Sequence, residues 1–476
     1  MSTRSDRTPR RLLAIGALER DNFGDLLYAH LLESHAGDSL EIAWGAPILP
    51  ATSADIGREV IRWPDALANE RLQGVWILGG EIGGTPPEYA YMTRFGRPAH
   101  GELIRADAAT RTSMLQAAMG GRVLDPPYIG RPSAYAANHT TPLVLNSVGI
   151  SGIARETGAR RHALTAALRE AAFVGVRDRA SGRLLDELGI AHRIAPDLAH
   201  TVARVRQRPQ SSHGAILVHL SEHALTQHQL SDWADALSKA VTDSHAEIRL
   251  FLAGLAPGHD SLDSAAGLRR LLLDRFPRRN VTISGARGVW ERTDEIAGAR
   301  LWIGSSLHGR IVASAYGVPR VSFAKPKVDG YAQDWDADFP FGIGPAGLAA
   351  AVSTALSMDA SPDDSLADAA AENIYVGLAS LKEFSSRSEN VVLAQRLRIR
   401  VRESDSLIAQ GRSAEDRLAD SEANANRQRI ELERRVRRLE RDLENLGHEL
   451  GEIRSSRRWR LFARLDQARD RLCLRR

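Results

Sequence analysis

Short apolar runs alternate with helix-length amphipathic stretches along most of this chain, and that rhythm narrows the possible folds more than any other feature. In the first half the runs are "LLAIGA", "GVWILGG", "PLVLNSVG" and "AAFVGVRD"; in the second they are "GAILVHL", "IRLFLAG", "NVTISG", "RLWIGSS" and "PRVSFAK". Strands that are apolar throughout, and separated by helices, belong to parallel sheets covered on both faces. A chain of 476 residues is also too long for a single core. The polar stretch "ARVRQRPQSSH", with its Pro and Ser residues, falls between the two groups of strands. The expected organisation is α/β, with two Rossmann-like, doubly wound domains facing a cleft that the carboxyl ends of their strands line. The first spans 1–205 and the second 206–385. Residues 85–140, rich in Pro, Tyr, Gly and Arg, interrupt the first domain as either a lid or acceptor loop or a surface excursion.

"SPDDSLADAAAEN" has the form of a capped helix start. Beyond residue 390 Gly and Pro nearly vanish. Leu432, Val436, Leu439, Leu443, Leu446, Leu450 and Ile453 step by four and three, a heptad seam, and Leu397, Val401, Ile408 and Leu418 keep its frame more loosely. A self-pairing coiled coil over 390–455 is expected, and hence a homo-oligomer; the alternative is one solvated helix on the body. The final segment, 456–476, mixes Trp459, Leu461, Phe462 and Leu465 with arginines, a composition that suits an anionic lipid surface; nucleic acid would tolerate it too, and a merely solvated basic end is the other alternative. From Ile453 onward nine arginines and two aspartates give +7 against a whole-chain net charge of +4, so the preceding 452 residues carry −3. The globular part therefore has no positive field of the kind nucleic acid needs. The single cysteine, Cys473, excludes an internal disulfide framework and points to a reducing compartment. No run approaches the roughly 20 apolar residues of a membrane span.

Chemistry concentrates in "LWIGSSLHGRIVASAYGVPRVSF", residues 301–323, a strand, a polar turn and a helix start. Backbone amides at a helix N-terminus bind anions, so Ser305, Ser306 and Leu307 are candidate contacts, the serine hydroxyls either capping the helix or donating to a ligand. His308 sits in the first turn, where the helix dipole disfavours its cation unless an anion is near. It could be a general acid or a structural histidine. Asp25 and Glu81, on loops after strands, could hold a sugar or accept a hydroxyl proton; Asp25 could instead cap the helix "LLYAHLLESH". Arg177 and Asp178 could form an exposed ion pair. His219 and Gly254 stand at ends of second-domain strands. "GGEIGG" lacks the spacing of a dinucleotide fingerprint, and its glycines read as tight-turn residues.

"SSLHGRIVASAYGVP" resembles the signature of the polysaccharide pyruvyl transferase family. Further stretches agree in order: "RDNFGDLLYAHLL" with Asn22, Gly24 and Asp25; "VWILGGEIGG"; "FVGVRDRASGRLLDELGI" and "APDLAH" with Arg177, Asp178, Pro196 and Asp197; and "SFAKPKVDGY" with Lys327, or else Lys325. Ser306 stands where some members carry an arginine. The resemblance covers about residues 12–345 and implies a glycosyltransferase-B-like pair of domains that transfers the pyruvyl group of phosphoenolpyruvate to a glycan or lipid-linked sugar, forming a pyruvate ketal without metal, nucleotide or other cofactor. It implies His308 as the catalytic acid, or else as the hydrogen-bond donor that orients the phosphate, with Arg177, Ser305, Ser306, Leu307, Gly309, Arg310 and Lys327 about the donor substrate. Asn22, Gly24, Asp25 and Glu81 are then on the acceptor side. The work would take place in the cytoplasm, with the tail on the inner face of the plasma membrane. Two other readings use the same features: a nucleotide-sugar glycosyltransferase, and a non-catalytic assembly factor working through its coiled coil.

Overall fold

The computed structural model describes residues 11–51, 57–210, 214–242, 244–402 and 404, with separate helical residues between 431 and 445. Of the heptad seam only Val436 is described, in a helical stretch; the other seam positions from Leu432 on, with Ile408, Leu418 and the arginine-rich tail, lie outside the described residues. The chain divides at Arg400 into two units, and everything below concerns the first.

That unit is α/β, built on two sheets whose described strand pairs are all parallel. The first sheet contains β1 (Leu12–Ile15), β2 (Ile42–Ala46), β3 (Val60–Arg62), β4 (Gly74–Ile77), β5 (Gly80–Glu81), β6 (Leu143–Gly149), β7 (Phe173–Val176) and β8 (Arg193–Ile194). The second contains β9 (Ile216–His219), β10 (Ile248–Leu250), β11 (Val281–Ile283), β12 (Leu301–Gly304) and β13 (Arg320–Ser322). All nine apolar runs read from the sequence form strands; β2, β3, β5 and β8 add to them.

Strand order places the site. In the first sheet it is β3-β2-β1-β4-β6-β7-β8, with β5 beside β6, and in the second β11-β10-β9-β12-β13. Each sheet is wound outward in two directions, from β1/β4 in one and β9/β12 in the other. Loops leaving neighbouring strands at such a reversal separate and open a crevice. Those four loops carry Arg20–Asp25, Gly79–Glu81, Ser221 and Ser305–Ser306.

Residues of both sheets enter one core, in which Leu12, Trp76 and Val144 join Leu217, Trp302 and Ile311. Segment 85–140 is largely helical, with helices Pro87–Phe95, Arg97–Arg105 and Ala108–Met119, and Ala90, Leu103, Leu115 and Met119 seat it in the first sheet's core. Asp363 caps the helix Asp364–Ser386, as its sequence suggests. That helix falls within the span read as the second domain, yet its side chains meet the first sheet. Gly377 lies against Trp76 and Leu381 against Gly74, so two missing side chains let helix and strands approach closely. No helix among the described residues is long and apolar enough to cross a membrane.

Candidate active site

The loop after β1 ends in the helix Phe23–Ala36. Asn22 caps it, its side chain accepting from the Gly24 amide, and so is spent on the fold. Asp25 is not the cap; in the first turn it pairs with Arg20, whose Nη2 lies 2.9 Å from Oδ2. Arg20 also donates to Thr93 and Tyr128, tying the helical insertion to the site. Burial raises the Asp25 pKa, but Arg20 and His308 outweigh it and keep the carboxyl below the usual range.

One turn after Gly24, Tyr28 points to the same side of the helix. Its buried hydroxyl donates to Asp197 Oδ2 at 2.5 Å, accepts from Arg177 Nη1 at 3.0 Å and lies 3.0 Å from His308 Nε2. Arg177 Nη1 also reaches Asp197 Oδ2 at 3.2 Å, and Asp197 Oδ1 accepts from the Ala199 amide at 3.0 Å. Ser147, at a positive φ of 55° where β6 is irregular, braces this loop by accepting from the Leu198 amide. Tyr28 thus joins a histidine of one sheet's loops to an arginine and an aspartate of the other's.

Two glycines make the junction possible. A Cβ on Gly24 would lie 1.7 Å from His308 Nδ1, and one on Gly79 would lie 2.3 Å from Tyr28 ring carbons. "GGEIGG" therefore contains at least one glycine set by a ring passing over it, beyond the needs of a turn.

Arg177 is buried rather than in an exposed pair with Asp178, which instead caps the helix Arg179–Glu187. Burial opposes the Arg177 charge, but Tyr28 and Asp197 more than offset it and its pKa rises. Nη2 has no hydrogen-bond partner, and Glu81 Oε2 stands 3.9 Å away. Glu81 Oε1 is likewise buried and without a hydrogen-bond partner. The charge of Lys327 is felt by this group: burial, then Arg177, drive it down to about 8, with Glu81 and Asp25 pulling the other way. Lys327 still presents surface to solvent, so the surrounding protein crowds its ammonium without sealing it off. Lys325 lies at the cap of the helix Pro326–Trp335 and its charge meets Asp260 and Lys327. Of the two lysines, Lys327 is the one coupled to Arg177.

His308 is in the first turn of Leu307–Ala315, its ring edge-on to Tyr28 with centroids 5.3 Å apart. Burial drives it down to about 4; Asp197 resists, and Arg177 and Lys327 reinforce the fall. The imidazole is therefore neutral at neutral pH, beside the unbonded amides of a helix start.

Several residues expected around the donor point elsewhere. The Ser306 oxygen accepts from Gly309 N, the capping alternative for this hydroxyl. Ser305 turns inward to His219 Nδ1 at 3.3 Å and Ser221 Oγ at 2.9 Å, because its hydroxyl closes a buried array in which His219 Nε2 meets Asp260 at 3.1 Å. Ser305 is 1% exposed and His219 2%, so that Ser–His–Asp row cannot reach a substrate. Gly309 makes room for the Trp302 indole, which lies 2.0 Å from where a Cβ would be, and Leu307 is buried. Arg310 corrects the expectation of a donor contact most plainly. Its guanidinium is fully buried, ion-paired with Asp336 at 2.7 Å and donating to Ser322 Oγ and the carbonyls of Asp336, Phe339 and Pro340. Gly254 packs against the Asp21 backbone. The residues expected on a donor side and on an acceptor side are not segregated, since Gly24 meets His308 and Glu81 Oε2 stands 3.9 Å from Arg177. Tyr28, Arg20 and His259, whose buried Nε2 lacks a hydrogen-bond partner, were not singled out by sequence.

Three solved structures show the kind of chain this one is similar to. The UDP-GlcNAc 2-epimerase of Methanocaldococcus jannaschii is 10% identical over 78% of this chain and 99% of its own, with a TM-score of 0.46. MnaA of S. aureus, solved with UDP, is 11% identical over 78% and 94%, at 0.44. An alpha-glucosyltransferase in complex with UDP is 10% identical over 78% and 95%, at 0.39. No curated protein matches the sequence. The family model described as polysaccharide pyruvyl transferase matches residues 115–324, the segment that contains Arg177, Asp197 and His308.

Proposed function

We propose that this chain transfers the enolpyruvyl group of phosphoenolpyruvate to two hydroxyls of a glycan sugar, leaving a cyclic pyruvate ketal and inorganic phosphate. The observation that carries this reading is the junction of Arg177, whose buried Nη2 has no hydrogen-bond partner, with a neutral buried His308 through Tyr28, within reach of the charge of Lys327. A small trianion requires charged donors, and an arginine edge, a lysine and a helix start supply them. The match to the family model supports the reaction class.

On this reading C3 of the donor takes a proton from the acid, and C2 accepts a sugar oxygen as that hydroxyl gives up its proton to the base. The C2–O bond to phosphate then breaks, phosphate leaving with the electron pair, and a second hydroxyl closes the ring as it loses its proton. His308, protonated when the anion neutralises its surroundings, is the acid. Glu81 suits the base better than Asp25. Its Oε1 is free and its side chain 34% exposed, whereas Asp25 is held by Arg20 with a lowered pKa. No step calls on a metal or nucleotide. The acceptor is a glycan or lipid-linked sugar, and the donor places the work in the cytoplasm.

The test is acceptor-dependent phosphate release from phosphoenolpyruvate by the full chain and by His308→Ala. The variant should keep native circular dichroism and lose turnover by about 10²-fold or more. Undiminished product from the folded variant would refute the reading. So would protection of the wild type against thermal unfolding by nucleotide sugars but not by phosphoenolpyruvate.

A further inference from the structure

We infer that Tyr28 is a positioning residue that fixes the tautomer of His308, leaving Nδ1 as the ring atom that takes up and delivers the proton. This rests on the pyruvyl-transfer reading for its catalytic meaning, but the tautomer itself follows from hydrogen-bond valence. A phenol has one proton to give and can accept two. Burial works against the Asp197 charge, but with His308 neutral the Arg177 guanidinium and the hydrogen bonds from Tyr28 and the Ala199 amide still favour the carboxylate, so it can only accept. The Tyr28 proton is therefore committed to Asp197 Oδ2, at 2.5 Å. Arg177 Nη1, 3.0 Å away, can only donate and fills one acceptor position of the phenol oxygen. The remaining contact, 3.0 Å to His308 Nε2, is satisfied only if Nε2 carries the hydrogen. In the neutral imidazole Nδ1 is then bare, on the ring edge that faces Gly24 and the start of the first helix.

Asp197 thus acts on His308 through the phenol, 3.9 Å from Nε2 and too long for a direct bond. The arrangement resembles an aspartate that orients a catalytic histidine, with a tyrosine inserted between them. It also ties the acid to the donor site, since the arginine with the free edge and the tyrosine that aims the histidine share one oxygen.

The direct measurement is nitrogen NMR of the full chain with selectively labelled histidine, the His308 signals being assigned by their loss in His308→Gln. At neutral pH the Nε2–H pattern alone is expected. An Nδ1–H pattern, or an even mixture of the two, would overturn the proposal, whether or not the chain turns over phosphoenolpyruvate. Tyr28→Phe removes the fixed partner. It should turn the single tautomer into a mixture, lower kcat by about 10- to 100-fold with KM for the donor within about twofold, and displace the acid limb of the pH–rate profile. A folded Tyr28→Phe protein with an unchanged tautomer and pH profile would equally overturn it. If the tautomer is as expected and no phosphate is released with any sugar acceptor, the proposed reaction fails and the proton placement stands.

Discussion

Replacing Gly24 by alanine tests the junction at its tightest point. The new Cβ would meet His308 Nδ1 at 1.7 Å, Cγ at 2.3 Å and Cε1 at 2.4 Å, whereas ordinary contact begins at 3.4 Å. The ring must withdraw by roughly 1.7 Å if the backbone holds. It cannot do so and keep the 3.0 Å bond to Tyr28. Stranding a buried polar group costs about 1–3 kcal/mol. Overfilling a packed site costs about 1–3 kcal/mol more. Alanine's better helix propensity returns at most about 1 kcal/mol. The folded state should lose about 1–5 kcal/mol, measured by urea denaturation. Phosphate release should fall further than binding does, since a misplacement of about 1 Å at a reacting group can cost 10²-fold. Protection by phosphoenolpyruvate should largely survive, because Arg177 and Lys327 are untouched. Gly330→Ala, where a Cβ meets nothing within 4 Å, is the control and should be near neutral. A Gly24→Ala protein with wild-type stability and turnover would mean that His308 does not pack on this turn, and the site built here would fall with it.

Two further outcomes follow from burial. His200, His259 and His308 are each driven by burial from 6.5 to about 4, so between those values the unfolded chain binds protons that the folded chain refuses. Stability should therefore fall as pH drops from about 6.5 toward 4, by up to about 1.4 kcal/mol per pH unit per histidine; a flat urea midpoint across that window would contradict these placements. Arg310→Ala should behave as a stability mutation, losing about 2–5 kcal/mol through the cavity it leaves and the unpaired carbonyls of Asp336, Phe339 and Pro340, while the Asp336 carboxylate keeps Arg320, with the donor KM of the remaining folded protein unchanged; normal stability with lost donor protection would return Arg310 to the site.

The sheets were readable because burial on both faces writes itself into the sequence as unbroken apolar runs. "LLAI" and "LWIG" need no partner to be recognised. Of the strands that escaped, β5 and β8 have two residues each, too few to hold a period, while β3, as short as β10, β11 and β13, ends on Arg62 and runs straight into the Trp63-Pro64 start of a helix. β2, "IAWGA", is long enough, but its Gly and Ala and the Pro that follows weaken the pattern. The helix Asp364–Ser386 was recognisable as a helix from its cap, but its partner was not. The close approach at Gly74 and Gly377 joins positions some 300 residues apart, and a single sequence has no periodicity that reaches so far.

The same limit governs the site. His308, Arg177 and Lys327 could be suspected one at a time because their residue types, after strands, suit an anion, and Glu81 because a carboxylate there could hold a sugar. Arg310 was suspected on equal grounds and points the other way. On a helix, two positions separate it from His308, which turns its side chain by about 200° to the opposite face. The first-turn histidine looks across at the neighbouring sheet's loops, while Arg310 looks back toward Asp336. The same rotation, applied to the first helix, would have found Tyr28. It lies four residues past Gly24, so whatever packs over the missing side chain must also pass close to the phenol. A glycine in a helix's first turn, followed four residues on by a tyrosine, is a weak signal alone. It becomes specific only when a ring from another part of the chain is seen to occupy the gap, and that ring is His308.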